Sequence, residues 1–231
     1  MPTIVFASSK GGAGKTTAAI SLAFVTSHHG TPTTIIDADP NRPIATWAER
    51  NPEQVPANLT VVTALRDDVM EAIDSATTPL TIVDLEGSKN QDVSVGIGRA
   101  DLVIIPLSGS RLDADEATAV IRVVKRQEAA FRRTIPFRLM LTRVSTIKDR
   151  VQKDIVAQFE AAKLPMLQTA LRERAAFKAI FHIGKTLYAM GPEDTAKPQA
   201  AIEDAEALTA EIRKVLSEVL NTTQGKEMAH V

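Results

Sequence analysis

Two lysines and three glycines are combined in one short stretch, SSKGGAGKTT, at residues 8–17. Glycines let backbone N–H groups converge on an anion without clashes from Cβ atoms. An apolar run that is typical of a strand, TIVFAS, precedes the stretch, and a segment that is typical of a helix, TTAAISLAF, follows it. A strand, a glycine loop and a helix in this order predict a phosphate-binding loop. In such a loop Lys15 contacts the β- and γ-phosphates and the Thr16 hydroxyl ligates Mg²⁺.

The other lysine of this stretch, Lys10, needs a separate explanation. A standard phosphate-binding loop has a glycine five residues before Gly14, where this chain has Ser9. The alternative interpretation is an ordinary glycine turn that carries two solvated lysines. The strand before the loop and the helix after it favour the phosphate-binding interpretation.

Aspartates end two of the other apolar runs. Asp37 and Asp39 lie in IIDADPNRP, and Asp84 lies in LTIVDLEGS. Ligand sites of α/β sheets lie at the carboxyl ends of the strands, so these side chains are candidates for a magnesium site. Alternatively, Asp37 and Asp39 cap backbone N–H groups in an Asp-Pro turn. Glu86 is either a residue of a loop that senses the γ-phosphate, with Gly87 and Ser88 as its hinge, or a simple exposed carboxylate.

Short apolar runs alternate with longer amphipathic segments along the chain, which predicts βαβ units. We therefore expect an α/β fold with a mostly parallel, twisted sheet and helices on both faces. Strands are expected at 3–8, 33–38, 59–64, 80–85, 101–107 and 137–144. Helices are expected at about 15–29, 43–50, 67–76, 91–99, 113–132, 148–162 and 198–220.

The loop sequence KGGAGKTT resembles the deviant Walker A motif, KGGxGKT[ST], of the ParA/MinD family of ATPases, and every motif position matches. The resemblance implies a single-domain P-loop NTPase fold, which we expect over residues 1–220. The polar segment 221–231 is expected to be a disordered tail. Because the chain begins at the first predicted strand, it resembles the small ParA type. The segment DADPNRP followed by a tryptophan resembles the branch that positions DNA-transfer complexes.

The resemblance also implies roles for individual residues. Lys10 would cross the interface of an ATP-dependent homodimer and contact the partner's phosphates. The catalytic residues would be Lys10, Lys15 and Asp39, and Asp39 would position the attacking water. Asp84 resembles the aspartate of a Walker B strand. The metal ligands, direct or through water, would be Thr16, Asp37 and Asp84. ATP would contact Lys10, Gly11, Gly12, Ala13, Gly14, Lys15, Thr16, Thr17 and, at the adenine, Thr142 and Arg143, where relatives have an Asn-Arg pair.

Charge is unevenly distributed, although the formal net charge of the 231 residues is only −1. Residues 121–190 hold 15 Lys and Arg against 5 Asp and Glu. Such a block indicates a polyanion partner, and the lack of interleaved aromatics favours contact with phosphates over stacking with bases. The alternative is a set of solvated charges on helix faces. The candidate DNA-contacting residues are Arg172, Arg174, Lys178 and Lys185.

These observations favour one function and leave others open. We expect a slow, Mg²⁺-dependent ParA-like ATPase that binds non-specific DNA and is stimulated by a ParB-like or other cargo protein. The alternatives are an ATP-dependent small-molecule synthetase or ligase, in which Glu86 and Arg111 could contribute to a substrate pocket, a non-enzymatic scaffold, and a Min-like ATPase of the membrane surface. The acidic polar face of the last predicted helix argues against membrane binding. The absence of cysteine excludes disulfides and iron–sulfur clusters, and we expect a cytoplasmic, nucleoid-associated protein.

Overall fold

The computed structural model describes residues 1–66, 68–86, 91–108, 111–144 and 150–228. Side chains are described for these residues except 91–92, 111–114, 150–152 and 223–228. All statements about side-chain contacts below refer to this part of the chain.

The described residues form one sheet of seven parallel strands in the order β3-β2-β4-β1-β5-β6-β7. Six of the strands confirm those expected from the apolar runs, and the two-residue β7 was not predicted. The strands are β1 (Thr3–Phe6), β2 (Thr33–Ala38), β3 (Leu59–Thr63), β4 (Leu80–Leu85), β5 (Leu102–Leu107), β6 (Phe137–Val144) and β7 (Leu171–Arg172).

Helices connect successive strands and cover the sheet on both faces, which confirms the α/β fold class. The helices are α1 (Lys15–His28), α2 (Pro43–Arg50), α3 (Asp68–Ser75), α4 (Gln91–Arg99), α5 (Arg111–Phe131), α6 (Arg150–Ala161), α7 (Ala175–Ile183) and α8 (Pro198–Met228). The sequence analysis did not predict α7. Within the described residues, no helix has the length and apolar character that a membrane span requires.

Two aliphatic cores lie on opposite faces of the sheet, because successive strand residues point to opposite sides. In β1, Ile4 and Phe6 belong to the core under α1, α7 and α8, whereas Val5 belongs to the core under α3, α4 and α5. Strands that are buried on both faces explain the continuous apolar runs in the sequence.

The carboxyl edge of the central strands brings the sequence-predicted residues together. The glycine loop follows β1, and Asp37 and Asp84 are the second-to-last residues of β2 and β4. Asp84 is in register with Phe6 of β1 on one side and with Asp37 of β2 on the other. Parallel pairing therefore places both aspartates beside the loop.

The last helix, α8, packs its apolar stripe against α1 and the first core. Ala205, Leu208 and Ile212 are buried there, as the 3–4 spacing predicted. The helix continues to Met228, eight residues into the segment that we expected to be a disordered tail.

Candidate functional site

The glycine loop has a conformation that its glycines make possible. Gly12 and Gly14 have φ angles of 82° and 84°, in the left-handed region that other residues rarely adopt. A Cβ atom on Gly14 would also lie 3.2 Å from the Cβ of Thr142, so Thr142 would have to move to admit a side chain. Gly14 is the N-cap of α1, so the loop leads directly into the positive end of that helix.

Side chains from the loop and from two distant elements hold the loop in place. Ser8 donates a hydrogen bond to the carbonyl of Lys10 at 2.7 Å. Ser9 contacts the carboxylate and the backbone carbonyl of Glu116 on α5. Thr142 at the end of β6 donates to the carbonyl of Ala13 at 2.8 Å. The serine that replaces the standard glycine therefore anchors the loop to α5, a contact that no sequence motif indicated.

A buried cation and a buried carboxylate lie next to each other at the start of α1. Lys15 is 4% exposed and Asp84 is completely buried. Neither carboxylate oxygen of Asp84 has a hydrogen-bond partner of normal geometry among the described residues. Burial raises the pKa of Asp84 to about 7, although Lys15 and the nearby Thr16 hydroxyl oppose this shift.

This arrangement fits a magnesium ion bound together with a polyphosphate. A buried carboxylate without hydrogen-bond partners is energetically costly, and a divalent cation at this edge of the sheet would compensate the part of that cost that Lys15 leaves. The Thr16 hydroxyl, which is close enough to Asp84 to affect its pKa, is a second oxygen ligand of the kind that Mg²⁺ prefers.

Asp37 is equally buried but has partners for both of its oxygens. Its Oδ2 accepts hydrogen bonds from the backbone N–H groups of Ile44 and Ala45, at 2.8 and 2.9 Å, and thus caps the start of α2. Its Oδ1 accepts a longer bond of 3.3 Å from the N–H of Asp39. The capping interpretation therefore describes these contacts, while the predicted metal role of Asp37 stays a prediction.

Asp39 lies half-buried at the rim of the same edge. Its Oδ1 accepts hydrogen bonds from the backbone N–H and the side-chain amide of Asn41, at 2.8 and 2.9 Å. The Asn41 amide thus orients the carboxylate that we predicted to position the attacking water.

The two residues predicted to contact adenine differ in their surroundings. Thr142 is 1% exposed, and its hydroxyl lies within hydrogen-bonding distance of two carbonyls, those of Ala13 and Leu107. Arg143 is exposed and has a φ of 53°. Both residues line a cavity of about 280 Å³ that also reaches Gly14 and Thr17. The base contact of Thr142 stays a prediction, and its hydroxyl already holds the loop.

All four candidate DNA-contacting cations form ion pairs. A solvent-exposed pair such as that of Lys178 and Glu173 contributes little to stability, so Lys178 can exchange its partner for a phosphate, whereas the pairs of Arg172 and Arg174 share the buried Asp204. The pairs are Arg172 and Arg174 with Asp204, Lys178 with Glu173, and Lys185 with Asp194, at N–O distances of 2.6, 2.6, 2.7 and 2.8 Å.

Some sequence interpretations concern residues that lie outside the described part of the chain. Gly87 and Ser88, the expected hinge, are among them, as is the side chain of Arg111. Glu86 is half-buried and makes a contact of its own.

A phosphate-binding loop after the central strand of a parallel sheet, with a buried lysine beside a buried aspartate, defines a P-loop protein. The two-lysine form of its loop makes it a ParA/MinD-family ATPase. The family model described as VirC1 protein matches residues 1–222, and the chain belongs to this family.

Similar proteins agree with this assignment. A relative described as Protein ParA, from Rhizobium radiobacter, is 36% identical over 227 residues, which cover 95% of this chain and 100% of the relative. An ATP complex of a McdA variant from Cyanothece has a TM-score of 0.66 at 21% identity and covers 89% of this chain and 96% of its own. The MinD cell division protein of Aquifex aeolicus has a TM-score of 0.68 at 18% identity and covers 91% and 98%. At these identities the two structures are evidence for the fold.

Proposed function

We propose that this chain is a Mg²⁺-dependent ATPase that forms a sandwich dimer on binding ATP, binds DNA without sequence preference, and positions a DNA cargo. Membership in the family supports a partition or positioning role in general. The main evidence for nucleotide binding is the carboxylate of Asp84, which is buried next to the glycine loop without a hydrogen-bond partner of normal geometry and lies near Lys15 and Thr16.

The residues of the loop and the nearby aspartates have separate roles in this proposal. Backbone N–H groups and the Lys15 ammonium would bind the β- and γ-phosphates, and Thr16, Asp84 and Asp37 would hold the metal, directly or through water. The bound Mg²⁺ supplies positive charge that neutralises the phosphate oxygens as the γ-phosphoryl group is transferred. Asp39, held by Asn41, orients the attacking water. Hydrolysis by the chain alone is slow, because water positioning and charge stabilisation are incomplete until a ParB-like or other activator binds.

The second lysine makes dimerisation depend on the nucleotide. Lys10 lies in the loop, within three residues of Ala13, and is half-buried. A lysine placed in an interface is desolvated, and a facing polyphosphate compensates that cost. ATP in one subunit and Lys10 of the other would therefore stabilise the dimer reciprocally.

Replacing Lys10 with alanine tests this role. We expect Lys10→Ala to bind ATP with an affinity near that of the wild type, because Lys15 and the loop N–H groups are unchanged. The ATP-driven increase in mass, measured by size-exclusion chromatography with light scattering, should be lost. The wild type with ADP is the control for a monomer. A Lys10→Ala protein that dimerises normally with ATP would contradict the interface role.

Among the four candidate DNA-contacting residues, Lys178 is the most exposed. Its side chain is 73% exposed, whereas Arg174 is 23% exposed and shares the buried Asp204 with Arg172. A second candidate surface is the outer side of α5, where Arg122 and Arg126 are exposed and have no ion pair among the described residues. These two arginines lie one helical turn apart and can follow a phosphate backbone together.

A salt series of DNA retardation, measured with ATP, ADP and no nucleotide, tests the DNA part of the proposal. We expect retardation of unrelated DNA sequences with ATP alone, with an affinity that falls steeply with salt. Removal of one phosphate contact lowers the slope of log binding constant against log salt concentration by about 0.9. Lys178→Ala should have this effect if DNA binds at α7, and Arg126→Ala should have it if DNA binds at α5. Lys214→Ala, an exposed lysine on α8, is the control. Failure of the wild type to retain DNA in any nucleotide state would refute DNA binding.

A further inference from the structure

The cavity beside the phosphate-binding loop has walls from three parts of the chain. The loop and α1 contribute Gly14 and Thr17, and the end of β6 contributes Thr142 and Arg143. The remaining wall consists of β7 and α7. Its lining residues are Leu171, Arg172, Glu173, Arg174, Phe177, Lys178 and Phe181.

Two arginines of this wall are held by one carboxylate from α8. Asp204 is 6% exposed, and both of its oxygens accept short, charge-assisted hydrogen bonds. Arg172 Nη1 donates to Oδ1 and Arg174 Nε donates to Oδ2, each at 2.6 Å. A buried carboxylate that satisfies two arginines fixes the positions of both, because loss of either bond leaves charge unpaired.

A second carboxylate of α8 holds the start of the same wall. Glu211 accepts hydrogen bonds from the backbone N–H groups of Gln168 and Thr169, both at 2.7 Å. These residues lead into β7, which makes only two register pairs with β6, at Thr142 and Val144. The short strand therefore depends on α8 for its position.

We propose that Asp204 is a positioning residue for the nucleoside part of the bound nucleotide, an inference that rests on the proposed binding of ATP at the loop. The phosphates occupy the loop and the start of α1, so the ribose and base extend past Thr17 into the adjoining cavity. Asp204 does not contact the nucleotide. It holds Arg172 and Arg174 as the wall against which the nucleoside packs.

The comparison of ATP with tripolyphosphate isolates this role, because tripolyphosphate has the phosphates without the nucleoside. In Asp204→Asn we expect Kd for ATP, measured by titration calorimetry with Mg²⁺, to rise about tenfold, which is the lower end of what loss of a ligand-orienting partner costs. Kd for tripolyphosphate should change by less than about twofold, since the loop is intact. Glu203→Gln removes the same charge from the neighbouring, exposed position and should change neither Kd.

Each other outcome overturns the inference in a distinguishable way. An equal loss of affinity for ATP and for tripolyphosphate would mean that Asp204 only supports the fold. Unchanged ATP affinity would mean that the wall does not meet the nucleoside. Absence of ATP binding by the wild type would refute the proposed function itself. Thermal unfolding verifies that the variant folds, and if it does not, Arg174→Gln removes the other side of the pair and should give the same contrast.

Discussion

Replacement of Lys15 by alanine is expected to abolish ATP binding, with a loss of at least about 100-fold, or about 3 kcal/mol, as for loss of a hydrogen bond to a charged group. The Lys15 ammonium is buried at the first residue of α1, next to the glycine loop. No other side chain of the loop except Lys10 carries a positive charge. Without Lys15 the triphosphate would face the buried Asp84 with no cation between them except the metal.

Titration calorimetry with Mg²⁺-ATP measures this effect, and Lys10→Ala is its matched control. Both variants lose one positive charge from the same loop, but only Lys15→Ala should lose binding. Thermal unfolding without nucleotide separates loss of binding from loss of folding, because removal of a buried lysine also changes the environment of Asp84. Lys15→Ala protein that binds ATP within tenfold of the wild type would show that the loop holds the phosphates by its backbone alone.

The fold could be predicted from the sequence wherever a strand is buried on both faces. A short, continuous apolar run between amphipathic segments, such as that of β4, indicates a strand that is buried on both faces. The strand β7 has two residues, of which Arg172 is exposed, so it has no such pattern. Its neighbour α7 lay within a segment whose charges suggested a binding surface, and the helix was therefore not predicted.

The site was predictable where a motif defines it and unpredictable where contacts between distant segments define it. Lys15, Asp37 and Asp84 follow from a loop and two strand ends that parallel pairing brings together. Asp204 and Glu203 look alike in the sequence, as two acids on the polar side of α8. Only Asp204 is buried, because two arginines about 30 residues earlier in the chain meet it.

Two aspartates in register at the same edge of the sheet differ in how strongly burial destabilises their charge. Burial raises the pKa of Asp37 as well, but Asp37 accepts three backbone hydrogen bonds that oppose this shift. Asp84 has no such bonds among the described residues, and it is more strongly destabilised when ionised. The protein therefore carries an energetic cost at Asp84 that a bound cation would remove, as is common for residues of functional sites.

Replacing Asp84 with asparagine should consequently stabilise the nucleotide-free protein at high pH while it weakens the contribution of Mg²⁺ to ATP binding. The pKa of Asp84 is raised from 3.8 to about 7, so the folded state binds its proton more tightly than the unfolded state does. The protonated Asp84 carboxyl makes its full contribution to the free energy of unfolding below about pH 4, and this contribution is lost as the pH rises towards 7. The loss amounts to about 4 kcal/mol above pH 7, at 1.36 kcal/mol for each pKa unit. Asparagine does not ionise, so the Asp84→Asn variant does not lose this stability as the pH rises.

Urea unfolding without nucleotide at pH 5 and pH 8 measures this difference. The advantage of Asp84→Asn over the wild type should increase by about 2.6 kcal/mol between these two values, because more than half of the pH-dependent loss falls in that range. Asp37→Asn is the matched control, since it makes the same change at the neighbouring register position. The asparagine oxygen can accept from the N–H groups of Ile44 and Ala45, but its NH2 group then faces the N–H of Asp39. We therefore expect a destabilisation of about 1–3 kcal/mol, with a smaller dependence on pH than for Asp84→Asn, because the pKa of Asp37 is raised less. If the two variants respond to pH alike, the carboxylate of Asp84 is not the uncompensated charge.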